Sequence, residues 1–333
     1  MRGKQEKSDV FFSSKFKKTP SMFCSLNPNT SLIRNGSWAL PEVSGCNVDV
    51  YLYYPGMCSG DHVYSSSMSE VNYAALISKE YKQPVFTVWA NDGLNPSIEK
   101  FVQDYLIQGK RPSFNKCCIT GVTEQTYKGT GFSKGHMVAM ADMGMIKCGT
   151  GNCSAGTFTT CNMSPQNEIL NGDRWAKLEA GSRDCVSNKR TVVVYTGPLF
   201  GKNSQYCMNN SVCVGNDCEV FLHPSRKHPE HKDWYGETKY YSKNCQNSPI
   251  VPYAYYKVVI IRNKSDGKVF TFPIIMSQKT PTNNVVNASI LTTGQEAWNI
   301  ITQELSFLRF PYDVANNIQI TDKDKWLQGN CPM

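Results

Sequence analysis

The sequence predicts an α+β layer fold, and three observations lead there. Runs rich in β-branched and aromatic residues, PVFTVWA from Pro84, TVVVYTG from Thr191, YYKVVIIR from Tyr255 and KVFTFPIIM from Lys268, have the length and composition of buried strands. Segments with helical spacing alternate with them. The chain of 333 residues, 40% hydrophobic and 19% charged, can bury a sizeable core, which excludes the disordered and collagen-like classes.

Residues 1–80 are rich in Ser, Asn, Gly, Pro and Tyr and hold Cys24, Cys46 and Cys58, with a strand-like run from Val48 to Tyr54 between turn signals. They predict a small cysteine-containing N-terminal β appendage, followed by a main domain over residues 81–333. Helices are expected from Ser67 to Tyr81, Asn95 to Gly109, Ser164 to about Val186, and Thr293 to about Leu308. In the third, Ser164 suits the N-cap, Pro165 the first position, where its missing N–H costs nothing, and Glu168 the first turn. There is no internal repeat and no low-complexity tract.

Charge and cysteine usage narrow the function classes. A net charge of +8 and a pI near 8.7 favour a polyanionic partner. No apolar run approaches the ~18 residues of a membrane span, so no membrane partner is expected. The even count of 14 Cys, none in a C-x-x-C, points to disulfides in an oxidising compartment; Cys148 with Cys153 and Cys213 with Cys218 are too widely spaced for zinc knuckles. Glycosylation sequons at Asn29, Asn35, Asn152, Asn209, Asn263 and Asn287 agree with a secreted glycoprotein. The opening MRGKQEKSDVFFSSKFKKTPSMF lacks the apolar core of a signal peptide, so the expectation is a secreted protein with a trimmed or misassigned start.

Two segments carry chemistry. In YKGTGFSKGH, from Tyr127 to His136, the imidazole can serve as general base near neutral pH, Lys134 can bind a phosphate, and Gly135 lets the backbone approach a substrate. On that segment alone a structural histidine is the plainer reading. The second segment, NMSPQNEILNGDRWAKLE from Asn162 to Glu179, changes the balance. Glu179 lies about 80° round an ideal helix from Asn171, and Arg183 one turn beyond, so one side of the helix can present all three. An amide oxygen is a hard donor suited to Mg²⁺, which keeps most of its waters, and a nearby carboxylate can hold those waters. Gly172 inside the helix implies close packing or a local adjustment beside the ligand. An amphipathic helix burying Trp175 and Leu178 explains the apolar positions equally well, but not Asn171, Glu179 and Arg183 together.

In combination, GFSKGH ending at His136, NMSPQNEILNGDRWAKLE, VVVYTGPLF and IVPYAYYKVV resemble the DNA/RNA non-specific endonuclease family of ββα-metal nucleases, over roughly Pro84 to Phe310. The many cysteines and extra amino-terminal sequence are similar to its secreted invertebrate members. The resemblance implies a central, mainly antiparallel sheet flanked by helices, with a ββα-metal finger at the active site. It implies cleavage of DNA and RNA with little sequence specificity, leaving 5′-phosphate ends. His136 is then the base that activates water, Asn171 the direct protein ligand of Mg²⁺ (Mn²⁺ being the alternative ion), and Glu179 the residue that orients the ion's waters. Lys134 and Arg183 face the substrate phosphate, with Asn162, Gly135 and Ser133 in support.

One departure stands out. The family reads D-R-G-H where this chain has Ser133, Lys134, Gly135 and His136. Lys keeps a point charge but loses the two-pronged guanidinium fork, and Ser133 supplies no carboxylate. A catalytically weakened nucleic-acid-binding protein is therefore the alternative to an active nuclease, and a cysteine-rich structural or toxin-like protein that keeps only the fold is a third. The run from His223 to Lys232 reads as a solvated loop broken by Pro224 and Pro229, able to form a basic rim for a polyanion.

Overall fold

Residues 192–199 and 254–261 are buried at every position, as strands covered on both faces must be. They form the centre of the sheet in a computed structural model that describes residues 42–43, 50–53, 73–78, 81–91, 119, 122–127, 132–144, 147–148, 151–152, 156–168, 170–200, 249–278, 291–306, 308–310, 312–320 and 322–333.

In chain order the first strands are β1 (Glu42–Val43), β2 (Val50–Tyr53), β3 (Tyr73–Ser78) and β4 (Gln83–Asn91). A short helix α1 (Glu124–Tyr127) leads to β5 (Phe132–His136), and α2 (Met140–Gly144) leads to the small pair β6 (Lys147–Cys148) and β7 (Gly151–Asn152). After a 3₁₀ turn (Thr160–Asn162) come β8 (Met163–Asn167), a π-helical segment (Leu170–Trp175) and α3 (Ala176–Asp184). The remainder comprises β9 (Arg190–Leu199), β10 (Ala254–Asn263), β11 (Val269–Ser277), β12 (Leu291–Thr293), α4 (Gly294–Glu304), β13 (Leu308–Arg309), α5 (Tyr312–Ala315) and α6 (Lys323–Gln328).

Seven strands form an antiparallel sheet in the order β12-β11-β10-β9-β4-β3-β2. Its alternating side chains feed two cores. On one face Val193, Tyr195, Val258 and Ile260 pack with Ala297, Trp298 and Ile301 of α4. On the other, Val192, Val194, Tyr255, Val259 and Ile261 pack with Met137, Met163, Trp175 and Leu178. Helix α4 therefore covers one side, and a second unit, the β5–β8 hairpin followed by α3, covers the other. This is the expected α+β architecture with a mainly antiparallel sheet.

Three expectations need correction. Tyr73–Ser78, expected as helix, is strand β3, paired with β2 and β4 and buried at all its positions. A slot covered on both faces takes a continuous apolar run whatever its local spacing, and a bulge between Leu76 and Ile77 absorbs the irregularity. It follows that the division at residue 80 does not separate an appendage from a domain at this point, since β2 and β3 belong to the main sheet. The third helix does not start at Ser164: residues 163–167 form β8, and regular α-helix begins only at Ala176. Pro165, which has no N–H to donate, sits in a two-stranded ladder where its carbonyl accepts from Tyr255 OH (2.7 Å) and Gln278 Nε2 (3.1 Å). The helix from Asn95 to Gly109 and the loop from His223 to Lys232 lie outside the described residues. Among the described residues no helix is long and apolar enough to cross a membrane.

The carboxyl-terminal segment braces α3. Asp322 caps α6 by accepting from the Asp324 N–H, and Gly329 closes it in the left-handed region at φ 81°. Trp326 packs so tightly on α3 that a Cβ added at Gly181 would lie 2.9 Å from its ring. Cys331 forms a disulfide with Cys185, and its N–H donates to Asp184 Oδ2 at 2.8 Å.

Candidate active site

Two strands and a helix present the chemistry. In the β5–β8 hairpin Lys134 lies opposite Pro165, Gly135 opposite Ser164 and His136 opposite Met163. Period-two alternation places Lys134 and His136 on one face of the hairpin and Ser133 and Gly135 on the other. Gly135 is needed for room: a Cβ there would stand 2.5 Å from the Cβ of Gln166, forcing the strands apart. This differs from the close approach to substrate suggested by the motif alone. The hairpin is tied to the sheet through Ser164, whose Oγ is within hydrogen-bond distance of Gln83 Oε1 and Tyr255 OH, and through Gln278 Oε1, which accepts from the Asn167 N–H at 2.7 Å.

His136 ends β5, half-buried, with its ring edge-on to Phe158 at 5.4 Å between centroids and 81° between planes. Asn162 holds the backbone just beyond it. Its Oδ1 accepts from the Val138 N–H (2.9 Å), its Nδ2 donates to the Val138 carbonyl (2.9 Å) and the Thr157 carbonyl (3.1 Å), and its own carbonyl accepts from the Met137 N–H (2.9 Å). The side chain is fully buried and spends its hydrogen bonds on the backbone.

Lys134 meets a carboxylate that the motif does not contain. Its Nζ donates to Glu124 Oε1 at 2.9 Å, from helix α1. The acid that Ser133 lacks is thereby supplied from elsewhere in the chain, and Ser133 itself lies opposite Gln166.

Asn171 sits in the π-helical segment, half-buried. No hydrogen bond from another described residue engages its amide. Such wide turns recur at functional sites, and this one changes the phase assumed for an ideal helix between Asn171 and Glu179. Gly172 is exposed, and an added Cβ would meet nothing within 4 Å. The glycine therefore accompanies a local adjustment of the helix and not close packing.

Further along, Arg183 Nη1 donates to Asp142 Oδ1 at 2.8 Å, with the Asp142 side chain fully buried and that of Arg183 16% exposed. Asp142 Oδ2 also accepts from the Ala139 N–H at 3.3 Å. This pair fastens the end of α3 to the segment following His136. Glu179 completes the group. Burial first, and then the charge of Asp142, push its carboxyl up to about 7, against the opposing pull of Lys257 and Arg183 and a smaller one from the Trp175 indole N–H, which makes no close hydrogen bond. Part of the Glu179 side chain reaches the surface, but the carboxyl sits among protein groups.

The hairpin thus brings Lys134 and His136 together, the helix carries Asn171, Glu179 and Arg183, and Asp142 joins the halves. Glu124, Asp142 and Lys257 were not singled out from the sequence. For Lys257 a signal existed, since a charged residue inside the apolar run YYKVVIIR is unusual.

The donor set fits a hard divalent cation. One amide oxygen and one carboxylate suffice for an ion that retains its waters, and Glu179, crowded against Asp142, gains from a nearby positive charge.

Comparison with known proteins shows the family. The family profile described as DNA/RNA non-specific endonuclease matches residues 89–317. Nuclease C1 of Cunninghamella echinulata var. echinulata is 37% identical over 130 residues, covering 38% of this chain and 46% of that protein. Mitochondrial endonuclease G of Homo sapiens is 36% identical over 78 residues, covering 23% of this chain and 25% of that protein. The matched stretches therefore span less than half the length of these relatives. A chain from the crystal structure of an EndoG/EndoGI complex superposes with a TM-score of 0.48 at 19% identity, covering 78% of this chain and 88% of that one.

Proposed function

Because this chain belongs to the DNA/RNA non-specific endonuclease family, we propose that it hydrolyses phosphodiester bonds of DNA and RNA with little sequence preference, using a divalent cation and leaving 5′-phosphate ends. The observation that carries this reading is the hairpin–helix unit, in which Lys134 and His136 share one hairpin face and Asp142, on α2 just beyond β5, holds through Arg183 the helical stretch bearing Asn171 and Glu179.

Asn171 would hold the ion through its amide oxygen, and Glu179 would hold the ion's waters. When bound, Mg²⁺, or Mn²⁺ in its place, stabilises the charge that grows on the phosphate and on the leaving 3′ oxygen. His136 accepts the proton of the attacking water, and no substrate 2′-OH is required, which accounts for action on both DNA and RNA. Lys134 leaves Glu124 to pair with a non-bridging oxygen. Arg183, with one nitrogen engaged by Asp142, orients the helix and adds positive charge to the phosphate side. The Cys185–Cys331 bridge supports an oxidising, extracellular location.

The Lys134–Glu124 pair favours a second reading, a nucleic-acid-binding protein with weakened catalysis. One assay separates the two. Supercoiled plasmid and double-stranded RNA should both be cut with Mg²⁺ and spared with EDTA. His136→Ala should lower the rate by about 10² to 10⁴ while retaining nucleic-acid binding. Activity of His136→Ala within tenfold of wild type removes the histidine from the role of base, and binding without cleavage by the wild type establishes the second reading.

A further inference from the structure

Strand β8 belongs to a two-stranded sheet, so one of its edges has no strand beside it. Its residues 163–167 are nonetheless buried at every position, and main-chain groups on a buried edge need partners. Gln278, the residue that follows β11, supplies them at two positions. Its Oε1 accepts from the Asn167 N–H at 2.7 Å, and its Nε2 donates to the Pro165 carbonyl at 3.1 Å and to the Pro252 carbonyl, just ahead of β10, at 2.7 Å. Both amide hydrogens and one acceptor site are thus committed to the main chain. The side chain is buried, and the Gln278 N–H donates to the Tyr253 carbonyl at 3.0 Å, so the central sheet holds the residue from behind.

The bonding continues toward the site. Asn167 Oδ1 accepts from the Leu170 N–H at 3.2 Å, capping the amide that opens the π-helical segment. Asn171 is the next residue. From the end of β11 to Asn171 the route therefore runs through Gln278, Asn167 and Leu170, and each link is a hydrogen bond or the chain itself. Strand β8 also pairs with β5 and sets Met163 opposite His136. We propose that Gln278 is a positioning residue for hydrolysis: by fixing the end of β8 against the sheet it sets where Asn171 stands relative to His136, and with it the placing of the amide oxygen that holds the cation. The inference rests on the reading of Asn171 given above. A glutamine that only satisfied a buried edge would affect stability and leave cation affinity alone.

Gln278→Met, which keeps length and removes the amide, tests this by Mn²⁺ binding without nucleic acid, read from the electron paramagnetic resonance of the free ion, and by the Mg²⁺ titration of cleavage. Mn²⁺ should bind about tenfold more weakly, the low end of the range for residues that orient a metal ligand, and the Mg²⁺ concentration for half-maximal cleavage should rise in parallel. Duplex affinity in EDTA should stay as in wild type. Ile301→Val, in the core on the opposite sheet face, should lower Tm with both titrations unmoved. Asn167→Ala should reproduce the weakened Mn²⁺ binding, and Asn167→Ser, which returns an acceptor for the Leu170 N–H, should restore most of it. Wild-type Mn²⁺ affinity in Gln278→Met beside a weakened Asn171→Ala overturns this inference alone. Equal affinities in Asn167→Ala and Asn167→Ser do the same, as does a shift in Ile301→Val as large as that in Gln278→Met. Wild-type affinity in Asn171→Ala overturns the reading of the site and this inference with it. Should Gln278→Met fail to fold, the two Asn167 variants decide.

Discussion

Replacing Lys134 by Ala should slow single-turnover cleavage by about 10² to 10³, the effect of losing one charged donor at a developing oxyanion, roughly 2.7 to 4 kcal/mol. The structure sets the opposing term. Lys134 Nζ is 2.9 Å from Glu124 Oε1, and the two side chains are 33% and 43% exposed. A pair this open to solvent is worth about 0.2 to 1 kcal/mol. On the proposed reading the phosphate contact would be the stronger, so Glu124 would release the lysine to substrate and tune it without silencing it. Glu124→Gln should accordingly raise cleavage at subsaturating substrate by no more than about fivefold, and the gain should fade as salt rises. Lys134→Arg should preserve or raise turnover, because the guanidinium grips two oxygens and keeps the charge. The assay is single-turnover cleavage of a labelled duplex by wild type and these three variants at two salt concentrations. Low salt should not rescue Lys134→Ala. If that variant cleaves at the wild-type rate once bound and only its salt slope falls, by about one unit, Lys134 is a steering charge and the catalytic argument fails.

Asn171→Ala should raise the Mg²⁺ concentration needed for half-maximal cleavage and lower the rate together, since the ion's waters cannot replace its protein anchor; an unchanged Mg²⁺ titration would place the ion elsewhere. Cys331→Ser opens a link across 146 residues, for which chain entropy sets a ceiling of about 5 kcal/mol. A fall of several degrees in Tm under non-reducing conditions is expected, and an unchanged Tm would mean that the tail does not brace α3. The raised Glu179 carboxyl predicts a pH effect on the metal-free protein. The folded state holds this proton more tightly than the unfolded chain, so the stabilisation is complete below about 4.5, is lost as pH rises to about 7, and is constant above. Unfolding in EDTA should show that decline in wild type and not in Glu179→Gln; parallel profiles would refute it.

Much of the architecture was legible locally. The runs from Pro84, Thr191, Tyr255 and Lys268 are strands in the central sheet, and the segment from Thr293 forms α4 nearly as expected, because a long apolar run or a strong helical period leaves few alternatives. The motif residues His136 and Asn171 stood out in the sequence by residue type and order, and the structure places them on β5 and in the π-helical segment.

What the sequence determined by itself was which segments are apolar, with what period, and which side chains could perform hydrolysis. Tertiary structure alone decided that Tyr73–Ser78 becomes a strand, that Ser164 and Pro165 enter a hairpin before the helix begins, that Glu124 partners Lys134, and that Lys257 lies against the Trp175 ring. Each of these depends on contacts between residues distant along the chain. Local spacing carries no information on which sheet slot a segment will occupy, and the energy of a charge depends on the burial and the partners it meets there.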